Sequence, residues 1–164
     1  MTIDPLAALT KPWLPEDPDV DVGHGGLPVH LRGAYLFYVA VGGFVGTGLR
    51  EGLSLWFPPV NRQMNWTILL VNVAGAFLLA FLIEILANRM PEKGRRRTLR
   101  LLLGTGVLGG FTTYSTFATG AAELIRQGSP GTAIGYSGLT LGLGLLASFA
   151  GMSGALKIRE WYPR

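Results

Sequence analysis

Cysteine is absent from this chain of 164 residues, which excludes disulfides and any thiolate-held metal and leaves the redox compartment without a marker. Charge is scarce as well. Only 15% of residues are charged, against about 25% in ordinary soluble domains. No carboxylate–histidine cluster, nucleophile–base pair or glycine-rich phosphate loop stands out, so we expect no enzyme. What replaces these features is a 49% hydrophobic content with 24 glycines and a mean hydropathy of +0.37. That balance describes an all-α polytopic membrane protein. The formal net charge of +4 does not indicate nucleic acid as a partner, because the cations lie outside the apolar segments, where membrane topology puts them.

The first 32 residues differ from the rest. Asp4, Glu16, Asp17, Asp19 and Asp21 are half of the ten acids and alternate with Pro5, Pro12, Pro15 and Pro18. No apolar stretch joins a basic start to a small-residue cleavage site, so this is not a signal peptide. It reads as a disordered tail, with Trp13 and Leu14 the residues able to touch an interface. A transmembrane domain is expected over 33–160, followed by a short C-terminal tail over 161–164.

Four apolar stretches, 33–57, 66–87, 99–125 and 132–156, are each long enough to cross the roughly 30 Å hydrocarbon layer. Their connections are short, which makes sequential helices antiparallel neighbours in a four-helix bundle. The N-terminal tail, the second loop and the C-terminus carry eleven of the 14 lysines and arginines, and the opposite side carries Arg50, Arg62 and Arg126. The positive-inside rule then puts both termini in the cytoplasm, with the chain as a multi-pass protein of the cell inner (plasma) membrane. Glycines recur at four-residue spacing in the pairs 42/46, 48/52, 106/110 and 138/142. Such pairs let helix backbones approach closely, either within one bundle or between subunits.

Polar residues within the spans are few enough to weigh singly. Residues 109–117 read Gly-Gly-Phe-Thr-Thr-Tyr-Ser-Thr-Phe. Two glycines and a run of hydroxyls argue for a broken third helix, tolerated at membrane depth only inside protein or along a cavity. Asn72 lies in the body of the second span, where an amide either ties helices together or meets a polar substrate. Tyr114 and Phe117 share one helix face, as do Thr113 and Thr116. Ring edges are positive and suit a partly dehydrated anion, while backbone carbonyls released over 109–112 suit a small hard cation. Tyr136 and Thr140 present hydroxyls along one stripe of the fourth span. Arg50 can cap carbonyls or snorkel, and Glu51 and Glu84 lie near span ends.

The third-span motif, Val-Asn-Val-Ala-Gly-Ala-Phe at 71–77 and Gly-Gly-x-x-Gly-x-x-x-Arg at 42–50 together resemble the Fluc (CrcB) fluoride channel family. The resemblance implies four-helix subunits assembled as an antiparallel, dual-topology dimer that exports fluoride passively through two pores. It also implies a structural sodium ion at the dimer centre, held by the backbone carbonyls of Gly109 and Thr112. Asn72 would donate to fluoride, Tyr114 and Phe117 would be the paired aromatics, and Ser115, Thr116, Tyr136 and Thr140 would belong to the polar track. Arg50 would have a structural or electrostatic role.

The chain departs from the family pattern in four ways. Tyr114 stands where the family usually has Phe, Gly120 where it commonly has Glu, and Thr67-Ile68-Leu69 where it has Gly-Thr-Leu. The eleven-to-three charge bias is at odds with dual topology, so two partners stay open: a second copy in a homodimer, or an oppositely oriented chain in a heterodimer. Two other function classes stay open: a small dual-topology multidrug exporter, which needs a deep titratable carboxylate, and a non-transporting membrane assembly subunit.

Overall fold

The computed structural model describes residues 32–59, 64–89 and 94–161. The two expected tails therefore lie outside the described residues, apart from Arg32 and Trp161. All regular structure among the described residues is helical: α1 (Gly33–Trp56), α2 (Trp66–Arg89), α3 (Arg95–Leu99), a π-helical segment (Arg100–Leu108), α4 (Gly109–Phe111), α5 (Tyr114–Arg126) and α6 (Pro130–Trp161). Local chemistry sets the ends. Asn65 Oδ1 accepts the Ile68 N–H at 3.1 Å to cap the start of α2. At the end of α5, Gly128 takes φ +79, and the Gly128 and Ser129 amides return to the Ile125 and Leu124 carbonyls. That is a Schellman stop, and Pro130 opens α6 at the position where its missing N–H costs nothing.

The outer surface is apolar. Phe44 is 83% exposed, Leu55 78% and Ile134 74%, a pattern a soluble monomer would not carry over its whole circumference. Two helices, over Trp66–Ala87 and Pro130–Ile158, are long and apolar enough to cross a membrane by length and composition. Together with the outward-facing side chains they describe a membrane protein.

Glycine decides how the helices meet. A Cβ on Gly42 would run into the Leu102 carbonyl, one on Gly46 into the Val107 carbonyl, and one on Gly110 into the Gly43 carbonyl. These contacts climb together along both helical stretches, so α1 runs parallel to the third, backbone against backbone. Gly151 of α6 lies against the Phe77 carbonyl of α2 in the same fashion, again a parallel pair. By contrast, a Cβ on Gly48, Gly52, Gly138 or Gly142 would meet nothing within 4 Å. The spacing alone left packing within and between subunits undivided; the structure assigns 42/46 and 106/110 to packing within one chain.

The third stretch is broken, as its composition suggests, though not at the glycines. Gly109 and Gly110 remain helical, and the chain extends at Thr112 (φ −77, ψ 156) and Thr113 (φ −148, ψ 122). The β-branched threonines accept extended backbone readily, and Gly110 is spent on the approach to α1. Upstream, nine residues form the π-helical segment, whose wider turn is rare and concentrated at functional sites.

Gly46→Ala is expected to lower the unfolding midpoint in detergent by about 3–10 °C, the effect of roughly 1–3 kcal/mol of overpacking. Gly131→Ala, at a position open on all sides, should leave the midpoint unchanged or slightly raised.

Candidate functional site

Interrupting a helix orphans carbonyls on one side and amides on the other. Here each set is treated differently. The Thr113 N–H, which would have continued the ladder, donates instead to Asn72 Oδ1 at 2.8 Å, and Asn72 Nδ2 donates to the Thr113 carbonyl at 3.0 Å. One side-chain amide on α2 therefore satisfies both backbone groups of the extended residue. The Gly110 carbonyl accepts from Arg50 Nε at 3.3 Å and from the Thr47 hydroxyl at 3.4 Å, both on α1. Arg50 also pairs with Glu51 at 3.1 Å, so its charge is shared between the break and its neighbour. The Leu108 carbonyl takes the Thr112 amide at 3.0 Å and the Thr112 hydroxyl at 2.9 Å.

The carbonyls of Gly109 and Thr112 are among those left over. Among the described residues no hydrogen bond reaches the carbonyl oxygen of Gly109 or Thr112, and Gly109 is exposed. They sit at the negative end of a helix, where a cation is favoured, and neutral backbone oxygens are what a hard monovalent ion takes as ligands. The fit is to oxygen donors alone; among the described residues there is no group of three His, Cys, Asp or Glu able to hold a metal.

Beyond the break, α5 starts afresh. The Thr113 hydroxyl oxygen caps it by accepting the Thr116 N–H at 3.1 Å, and that hydroxyl donates to Thr116 Oγ1 at 3.1 Å. Ser115 Oγ lies 3.1 Å from the same oxygen. The new N-terminus carries partial positive charge and favours an anion. Tyr114 and Phe117 stand one turn apart with ring centroids 6.1 Å apart; Tyr114 is 81% exposed. Phe117 in turn lies 5.3 Å from the Tyr136 ring.

These groups face a cavity of about 560 Å³ between α2, the broken helix and α6, lined among others by Asn72, Gly109, Thr112, Thr113, Tyr114, Phe117, Thr140, Gly144 and Ser148. No side chain in its described lining carries a formal charge. The structure thus gathers Asn72, Gly109, Thr112, Tyr114, Phe117 and Thr140 on one cavity. Ser115 and Thr116 sit behind the break, in its hydroxyl cluster. Tyr136 is fully buried in a cluster with Leu69, Leu124 and Ala133, and its hydroxyl has no partner among the described residues. Arg50 lies outside the described cavity lining. The Thr140 and Ser148 hydroxyls donate to the carbonyls of Tyr136 at 2.8 Å and Gly144 at 3.0 Å, so both protons are already engaged within α6. Sequence reasoning missed Gly144, Ser148 and the capping role of Thr113. The signal was present in the four-residue series 136, 140, 144, 148, and in a Thr three residues before another hydroxyl at a helix start.

Comparison with known proteins follows the same residues. The family model described as CrcB-like protein, Camphor Resistance (CrcB), matches residues 37–152. The chain belongs to the CrcB family. It is 46% identical over 126 residues to the fluoride-specific ion channel FluC 2 of Leifsonia xyli subsp. xyli, a match covering 77% of this chain and 86% of the relative. The fluoride-specific ion channel FluC of Rhizobium meliloti is 37% identical over 120 residues, covering 73% of this chain and 94% of its own length. That of Deinococcus radiodurans is 38% identical over 117 residues, with 70% and 89% covered. The region shared with the family contains the break, the Asn72 clamp and the whole described cavity lining.

Asn72→Leu, close in volume, would leave both Thr113 backbone groups without their partner. We expect it to cost about 2–4 kcal/mol, read as a lowered unfolding midpoint and faster proteolysis; an unchanged midpoint would show that the amide does not hold the break.

Proposed function

We propose that this chain is a subunit of a fluoride-selective channel that lets fluoride leave the cytoplasm by passive diffusion and so relieves its toxicity. One observation carries the reading: the broken helix offers a cation-suited end and an anion-suited end to a single uncharged cavity. Membership of a family whose named relatives are fluoride-specific channels supports it. The exporter and assembly-subunit alternatives find no support among those relatives.

Fluoride is small and costly to dehydrate, so its path needs close donors rather than a fixed counter-charge that would trap it. Asn72 spends one N–H on Thr113 and has a second to give. The ring edges of Tyr114 and Phe117 supply weak positive potential, and Thr140 brings a hydroxyl to the cavity wall, while Ser115 and Thr116 support the break from behind and Tyr136 backs Phe117 from the buried cluster. In this reading the four helical stretches are four membrane spans of an inner-membrane protein with both termini inside.

The free carbonyls of Gly109 and Thr112 fit a structural sodium ion shared with a second subunit; when bound, the ion would neutralise the helix end and tie two breaks together. Tyr114, Leu141 and Leu145 stand 81%, 69% and 61% exposed beside the open cavity, and an antiparallel partner is the element that would cover them. The charge bias of eleven against three fixes this chain's orientation, so we assign that partner to a second, oppositely oriented chain.

Flux from proteoliposomes tests the proposal. Fluoride efflux that excludes chloride and needs no proton gradient is expected; proton-coupled movement of an organic cation would overturn it. Robust efflux from this chain alone would sink the heterodimer and leave a homodimer. Replacing sodium by N-methylglucamine should lower the unfolding midpoint of the assembled channel and leave a dissociated subunit unaffected.

A further inference from the structure

The cavity at the break does not end at Ser148. A second cavity of about 270 Å³, lined by Ala80, Ile83, Glu84, Phe149 and Met152, shares Leu145 and Ser148 with the first. The two adjoin along the groove between α2 and α6. From Asn72 to Glu84 it spans twelve residues of α2, about 18 Å at the helical rise. It leads to the end of the molecule where α2 finishes and α3 begins, the end that carries Arg95, Arg96, Arg97 and Arg100. Along its described lining Glu84 is the sole formally charged side chain. Glu84 is half-exposed and already engaged with a neighbour.

We infer that Glu84 sets the electrostatic barrier at this mouth of the groove, and that it limits anion entry from this end. The inference rests on the channel reading above. The arginines at this end of the molecule raise the anion concentration near it, whereas a carboxylate in the lining opposes the final step inward. Its engagement with a neighbour does not alter the sign. Whether Glu84 is paired or not, replacing it by Gln makes the mouth more positive by one charge. At a separation of about 5 Å in a watery mouth, one unit charge changes an anion's local population by roughly 2- to 5-fold, and added salt weakens the effect as the Debye length falls from about 10 Å at 0.1 M to below that separation approaching 1 M.

The absence of cysteine makes the test clean. Glu84→Gln should raise fluoride efflux about 2- to 5-fold at low ionic strength, with the ratio to the unsubstituted chain shrinking towards one at 0.5 M of an impermeant salt. Glu84→Cys should behave like Glu84→Gln until it is modified. A negatively charged thiosulfonate should then return flux to the original level, and a positively charged one of similar size should not. Equal flux after both reagents, or a Gln effect that is independent of salt, would overturn the inference and leave the channel reading standing. Absence of fluoride flux from the unsubstituted channel would overturn the reading itself. Chloride exclusion, governed at the break, should stay intact in every variant.

Discussion

The two hydrogen bonds between the Asn72 amide and the Thr113 backbone are what the site depends on. A helix stopped inside a membrane exposes groups that hydrocarbon cannot satisfy, and each would cost more than a buried contact returns. Asn72 resolves this at a single residue, matching one donor and one acceptor to one acceptor and one donor. With Thr113 pinned, its hydroxyl is free to start α5, and Tyr114 and Phe117 take their places on the first turn. Arg50 and Thr47 do the complementary work from α1, by occupying the Gly110 carbonyl. Gly109 and Thr112, whose carbonyls the break leaves over, both line the cavity.

The clamp works only because the helices come close. Gly42, Gly46 and Gly110 let α1 touch the broken helix backbone to backbone, and that proximity is what brings Thr47 and Arg50 within reach of a main-chain oxygen. Gly75, one turn from Asn72, has the Thr112 methyl group where its own side chain would be. The glycines of this chain are thus partly a packing device for apolar helices and partly the reason the polar clamp has the right length.

Much of this was legible in the sequence, for reasons that differ by residue. The helices followed from long apolar runs with short connections, and the broken third stretch from hydroxyls where lipid should forbid them. Asn72 stood out because an isolated amide in a span must be satisfied by something. The position of the break was not legible. Glycine suggested 109–110, yet tertiary contact kept both glycines helical and moved the break to the threonines. Nor could the pattern say that Tyr136 would be wholly buried behind Phe117 while Thr140, one turn on, faces the cavity. That distinction depends on α5, whose Leu124 and Phe117 pack over Tyr136. Ser148 was passed over because a lone serine within a long apolar helix carries little weight until the groove that reaches it is seen.

The π-helical segment ahead of the break has a consequence for the inheritance of this site. Each residue added to or taken from a helix turns everything after it by about 100°, and a tract wound with i+5 bonds holds surplus residues against the ordinary winding. The Gly109 amide returns to the Gly104 carbonyl across this wider turn, so the heading of the Gly109 and Thr112 carbonyls is set by how many residues the tract contains. Insertions that a surface loop would absorb unnoticed would here act as a dial, aiming the end of one helix at a different neighbour. The chain length between Arg100 and Leu108 is in that sense part of the site's specification, although no side chain in it need touch an ion.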